Sequence, residues 1–176
     1  MTKNKKPLIL IGIVALIILI IGWLMSGYND MVELDENVNR EWSQVENQYQ
    51  RRLDLIPNLV NVVKGYASHE KETLEGVIEA RAKATQTTID PSNMTEEQLA
   101  NFQKSQDGLS GALNRLMVVV EKYPDLKATD NFKQLQDQLE GTENRITLAR
   151  KDYNDAATIY NKEVRSFPNS MLAGIF

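Results

Sequence analysis

The 176-residue sequence has no cysteine, which excludes disulfides, thiol catalysis, cysteine-ligated zinc and a lipoprotein leader with a thiol to acylate. It has a single histidine, His69, flanked by Glu70 and Lys71 in a helical stretch. A ferritin-like di-iron site needs two Glu-x-x-His pairs with further carboxylates, and the residue three before His69 is Tyr66. Ser-His-Asp or zinc hydrolysis would rest on that same imidazole, so His69 is read as a structural or surface residue. The nine glycines are scattered, and none stands before Lys-Ser or Lys-Thr in the spacing that cradles phosphate. Paired acids such as Glu70 with Glu72, or Glu143 with Asp152, read as solvated helix faces, while the mixed charges of Glu140, Glu143, Arg145, Arg150, Lys151 and Asp152 suit a solvated face or a register-setting contact. Asn93-Met94-Thr95 matches a glycan-acceptor sequence and is given no role. No enzyme activity, catalytic residue, cofactor or metal is expected.

Charge is missing from one more place. Leu8 to Met25 runs for eighteen positions without a charged side chain, directly after Lys3, Lys5 and Lys6. At roughly 1.5 Å per residue the run reaches about 27 Å, close to the thickness of a hydrocarbon core. Its Leu, Ile and Val residues favour insertion by about 0.3 to 0.6 kcal/mol each. A cleaved signal peptide competes with this reading. Its apolar core normally spans about 7 to 15 residues, and Trp23-Leu24-Met25-Ser26-Gly27 is a poor small-x-small cleavage site. The run is therefore expected to be an uncleaved anchor containing Leu8, Ile9, Ile13, Leu16 and Ile20, with Trp23 and Tyr28 at the outer interface.

The leading tail carries lysines and no acid, whereas Asp30, Glu33, Asp35 and Glu36 follow the span before Arg40, the first arginine. Positive charge stays on the cytoplasmic side, so the N-terminus is expected in the cytosol and the larger part outside it. Without the three tail lysines, seventeen basic side chains face twenty-four acidic ones, a balance of −7. That balance argues against nucleic acid as a partner.

Beyond the span, apolar side chains return at steps of three and four, the spacing of helix faces and coiled-coil seams, and strand-like alternation is absent at useful length. A first segment takes Met31, Leu34, Val38, Trp42, Val45 and Tyr49 and is expected to stop near Leu55, before Pro57. A second uses Leu59, Val62, Val63, Tyr66, Thr73, Leu74, Val77, Ile78, Arg81 and Ala84 and ends at Thr87, Thr88 and Asp90-Pro91-Ser92-Asn93. Thr95-Glu96-Glu97-Gln98 has capping-box spacing and opens a third through Phe102, Leu109, Leu113, Leu116 and Val120, closed by Pro124-Asp125. The fourth, capped by Thr129 or Asp130, carries Phe132, Leu135, Leu139, Thr142, Ile146, Ala149, Tyr153, Ala156 and Tyr160. Gly65, Gly76, Gly108, Gly111 and Gly141 fall inside these patterns, where they are candidates for close helix approach.

The expected fold is all-α: an N-terminal transmembrane helix, then an antiparallel up-down four-helix bundle with long coiled-coil-like helices, since short links force neighbours to reverse direction. The expected divisions are a basic tail over 1–7, the span over 8–27, the bundle over 28–168 and an apolar tail over 169–176. Arg51, Arg52 and Asp54 are candidates for turn or subunit contacts at the membrane-distal end. The descending fourth helix would return Phe167, Leu172, Ile175 and Phe176 to the membrane surface.

The chain resembles the LemA family over almost everything after the tail. The resemblance is carried by Gln50-Arg51-Arg52 with Asp54-Leu55-Ile56-Pro57-Asn58-Leu59-Val60, then Val63-Lys64-Gly65-Tyr66-Ala67, His69-Glu70 and Glu79-Ala80-Arg81-Ala82. Further on it is carried by Tyr123-Pro124-Asp125-Leu126-Lys127-Ala128, Gly141-Thr142-Glu143-Asn144-Arg145-Ile146, Tyr153-Asn154 and Phe167-Pro168. It implies a single-pass bacterial membrane protein with a long helical domain and no established catalytic residues. The function expected is a membrane-anchored scaffold that self-associates into a homo-oligomer and organises the lipid bilayer or recruits envelope proteins. The alternative is an extracytoplasmic sensing or adaptor module acting through a membrane partner.

Overall fold

The computed structural model describes residues 6–87, 89 and 94–174, and among these the secondary structure is helical throughout, with no strand. The helices are α1 (Lys6–Tyr66), α2 (Lys71–Gln86), α3 (Glu96–Val120), α4 (Pro124–Ala128), α5 (Asp130–Arg165) and α6 (Asn169–Ala173). They form two compact units. One runs over Glu41–Asp152, and the other takes the chain up to Arg40 together with the chain from Tyr153 onward.

The larger unit is built on apolar stripes. Leu53, Ile56, Leu59, Val60 and Val63 of α1 pack in one core with Leu74 and Val77 of α2, Leu109, Leu113, Leu116 and Val120 of α3, Leu126 of α4 and Phe132 and Leu139 of α5. Thr95 caps α3 as its spacing predicts: its hydroxyl accepts from the Gln98 N–H at 3.2 Å, and Gln98 accepts from the Thr95 N–H at 2.9 Å. Thr129 accepts from the Phe132 N–H at 3.3 Å at the start of α5. Tyr123 donates to Glu70 at 3.1 Å and ties the end of α3 to the turn that precedes α2.

The expected stop before Pro57 does not occur. Helix α1 continues through the proline to Tyr66, and the chain breaks at residues 67–70 instead. An interior proline costs about 3 kcal/mol, because its ring crowds the carbonyl four residues back and leaves that carbonyl without its N–H donor. Here the carbonyl belongs to Leu53. Two compensations outweigh the cost. The stripe from Leu53 to Val63 stays in register across Pro57, and each fully buried aliphatic side chain contributes about 1.5 to 3 kcal/mol. In addition, Arg81 of α2 donates its Nε–H to the Leu53 carbonyl at 2.9 Å, replacing the missing donor.

In the smaller unit, α6 packs on α1 at Gly27. A Cβ placed there would lie 2.9 Å from Asn169 Oδ1 and 3.5 Å from Leu172 Cδ1, so this glycine permits the close approach. Asn169 is buried and donates to Glu163 at 2.6 Å. None of the five helix-interior glycines that were candidates for this role serves it. A Cβ on Gly65, Gly76 or Gly108 would meet nothing within 4 Å, and on Gly111 or Gly141 it would meet only the tip of an arginine four residues ahead on the same helix.

Candidate functional site

At the centre of the larger unit lies a charged side chain in an apolar core. Arg52 sits on the buried face of α1 and is 2 % exposed. Its Nη1 donates to Ser110 Oγ at 3.0 Å and to Glu143 Oε1 at 2.7 Å, and its Nη2 donates to the Gln106 carbonyl at 3.3 Å and to Gln106 Oε1 at 2.6 Å. These contacts occupy both terminal nitrogens of the fork, and Nε is buried without an acceptor. The Tyr49 ring lies beneath, 5.1 Å from Cζ to its centroid, and stacks edge-on against Phe102 with ring centres also 5.1 Å apart. Only a planar, delocalised guanidinium can reach so many acceptors on two other helices, so a lysine would not substitute.

The ion pair is asymmetric. Arg52 is desolvated, whereas the Glu143 side chain remains 47 % exposed. Pairing is what makes burial of the cation tolerable, since an unpartnered buried charge costs several kcal/mol. Around it, burial pushes the Tyr49 hydroxyl above its ordinary pKa, opposed by the nearby charges of Arg150 and Arg52. Burial likewise raises the Glu46 carboxyl, opposed by its hydrogen bond with Trp42. Ser110 and Glu143 also line an open cleft of about 540 Å³ between α3 and α5, with Asn114, Gln136, Glu140 and Asn144 supplying polar groups and Leu113, Met117 and Leu139 an apolar floor.

The expected distal-turn cluster is thus corrected. Residues 51–54 lie within the continuous helix α1, not at a turn. Arg51 and Asp54 are exposed, and Asp54 accepts from Gln50 at 2.8 Å and does not pair with an arginine. Glu143, on its sequence either part of a solvated face or a register-setting contact, is the acid on which Arg52 depends. No linear signal linked the two, because 91 residues separate them. Arg81 was also missed as a partner of α1. A proline inside an apolar helical stripe marks Leu53 as a carbonyl lacking its donor, but it does not say which side chain supplies one.

The residues expected in an anchor lie on the uncovered surface of α1 wherever their side chains are described. Ile9, Ile13, Leu16, Ile20, Trp23 and Tyr28 are all exposed on α1, which is the one described helix long and apolar enough to cross a membrane. Leu8 falls in α1, but its side chain is outside the described residues, as are Ile175 and Phe176 altogether. Phe167 is 81 % exposed. Leu172 departs from expectation: at 8 % exposure it packs on Gly27 and does not face outward. His69 is exposed in the turn after α1, and among the described residues no group of three His, Cys, Asp or Glu is placed to hold a metal.

Comparison with known proteins adds a family. The pattern of the LemA family matches residues 41–176. Two magnetosome proteins of Paramagnetospirillum magneticum, MamQ 1 and MamQ 2, are each 30% identical over 176 residues, covering 90% of this chain and 65% of theirs. Protein LemA of Metamycoplasma hominis is 27% identical over 146 residues, 82% of this chain and 63% of its own length. The chain therefore spans somewhat less than two thirds of these relatives.

Proposed function

Because the chain belongs to the LemA family, we propose that it acts as a single-pass, membrane-anchored helical scaffold that self-associates and organises or remodels the bilayer, or recruits other envelope proteins. The observation carrying this reading is the uncovered apolar surface of α1 from Ile9 to Met25. Water opposes such exposure at about 25 cal/mol per Å², and a run of this length matches a hydrocarbon core. Relatives named as magnetosome proteins support a membrane-associated role. Confinement to a membrane raises effective concentration, so weak lateral contacts suffice for assembly.

In this reading the helices of the larger unit form an antiparallel up-down bundle. The break of only residues 67–70 between α1 and α2 supports it, as do the contacts of Arg52 with α3 and α5. Gly27 lies just beyond the apolar run, and α6 packs on it, so α6 sits at the headgroup level with Phe167 and Met171 turned to the outer leaflet. The N-terminus is cytosolic.

Full-length protein reconstituted in lipid nanodiscs and counted by mass photometry should form discrete oligomers as its density rises. A monomer at every loading would refute the scaffold. The chain's lack of cysteine makes topology directly testable: with an impermeant maleimide on intact cells, Ser166→Cys should label and Thr2→Cys should not. A sensing or adaptor role is favoured by one observation, the α3–α5 cleft that shares Glu143 and Ser110 with the buried arginine. Its test is a cationic ligand that raises the unfolding temperature and loses this effect in Glu143→Gln.

A further inference from the structure

A second open cleft, of about 520 Å³, lies between α2 and α3 and away from Arg52. Gly76, Glu79 and Lys83 of α2 and Lys104, Gly108 and Arg115 of α3 line it. Its charge runs against its surroundings. The unit over Glu41–Asp152 holds fourteen basic and eighteen acidic side chains, a balance of −4, whereas the cleft gathers three cations and one carboxylate. That carboxylate, Glu79, pairs with Lys83 at 2.9 Å in an exposed i,i+4 bridge too weak to hold the lysine against a stronger partner. Among the described residues, neither Lys104 nor Arg115 meets a carboxylate.

The glycines supply an independent observation. Gly76 and Gly108 sit inside helices, where glycine is a poor helix former, and a Cβ on either would meet nothing within 4 Å. Packing therefore does not require them. What they share is a place on the wall of this cleft, which their missing side chains keep open.

We propose that the α2–α3 cleft binds a compact, doubly charged oxyanion of the phosphate-monoester class, taken free from solution. The Arg115 fork suits two oxygens at once, Lys83 and Lys104 supply point charges, and Asn101 adds a neutral amide donor.

The test uses the full-length chain in detergent, titrated with inorganic phosphate by calorimetry, and the same chain in nanodiscs of phosphatidylcholine with and without phosphatidic acid. Saturable binding of phosphate supports the proposal, and an unfolding midpoint raised by phosphatidic acid without any binding of phosphate overturns it. Lys104→Ala with Arg115→Ala should weaken binding by about tenfold or more, as expected for losing charge-assisted hydrogen bonds. Lys122→Ala with Lys133→Ala, equal in charge and outside the cleft, should leave it unchanged. Gly108→Leu should fill the cleft and abolish binding while keeping or raising the unfolding midpoint. Failure of phosphate to bind overturns the proposal, as does equal loss of affinity in the control pair or undiminished binding in Gly108→Leu.

Discussion

If Arg81 stands in for the donor that Pro57 lacks, the value of Arg81 depends on the proline. In the native chain the Arg81 Nε–H meets the Leu53 carbonyl at 2.9 Å, and Leu53 is buried. A hydrogen bond from a charged donor contributes about 1.5 to 3 kcal/mol, and stripping it leaves a buried acceptor unsatisfied. Arg81→Met should therefore destabilise the larger unit by about 2 kcal/mol. In a Pro57→Ala background the new N–H can bond the Leu53 carbonyl within the helix, and the same Arg81→Met should cost less than about 1 kcal/mol. Pro57→Ala alone should stabilise, with an upper bound of about 3 kcal/mol from helix propensity. The measurement is urea unfolding of the four full-length variants in detergent, followed by fluorescence of Trp42, which is buried in this unit. If Arg81→Met costs the same with and without the proline, to within about 0.3 kcal/mol, the proposed replacement is wrong.

Three further outcomes are expected. Glu143→Leu leaves Arg52 buried and unpaired and should cost about 3 kcal/mol, at the low end for a broken buried pair because Glu143 is partly solvated, and adding Arg52→Met should recover at least 1 kcal/mol of it in a double-mutant cycle by urea unfolding. Burial raises the Glu46 pKa, so the folded state holds its proton more tightly than the unfolded state; stability should fall as pH rises from the ordinary carboxylate value through the raised one and then level off, and Glu46→Gln should flatten that slope in an unfolding series. Gly27→Val should push Asn169 and Leu172 off α1, seen as faster amide exchange across Asn169–Ala173, and unchanged exchange would show that α6 does not need the glycine.

The helical class was legible because periodicity reports burial directly. Trp42, Val45, Tyr49, Phe102, Leu116, Phe132, Ile146 and Ala156 were read as one-face positions and are buried. The capping box at Thr95 was legible because all its parts lie within four residues. What could not be read depends on distance along the chain. At Pro57 the local rule against an interior proline is overruled by a stripe of buried side chains and by Arg81, 28 residues beyond the Leu53 carbonyl that it serves. Arg52 looks like any arginine beside Arg51 until Gln106, Ser110 and Glu143 arrive from other helices. Leu172 has the same apolar character as Phe167, and only its packing on Gly27 separates an inward residue from an outward one.

The span of 91 residues between Arg52 and Glu143 also sets a timetable for biosynthesis. Ribosomes add about 5 to 20 residues per second, so roughly 5 to 18 seconds pass after Arg52 is made before its carboxylate exists. Through that interval the guanidinium must stay in water, because sealing it early would strand a naked cation. The nascent chain therefore waits with its central seam ajar, and the arrival of α5 is the event that lets it shut.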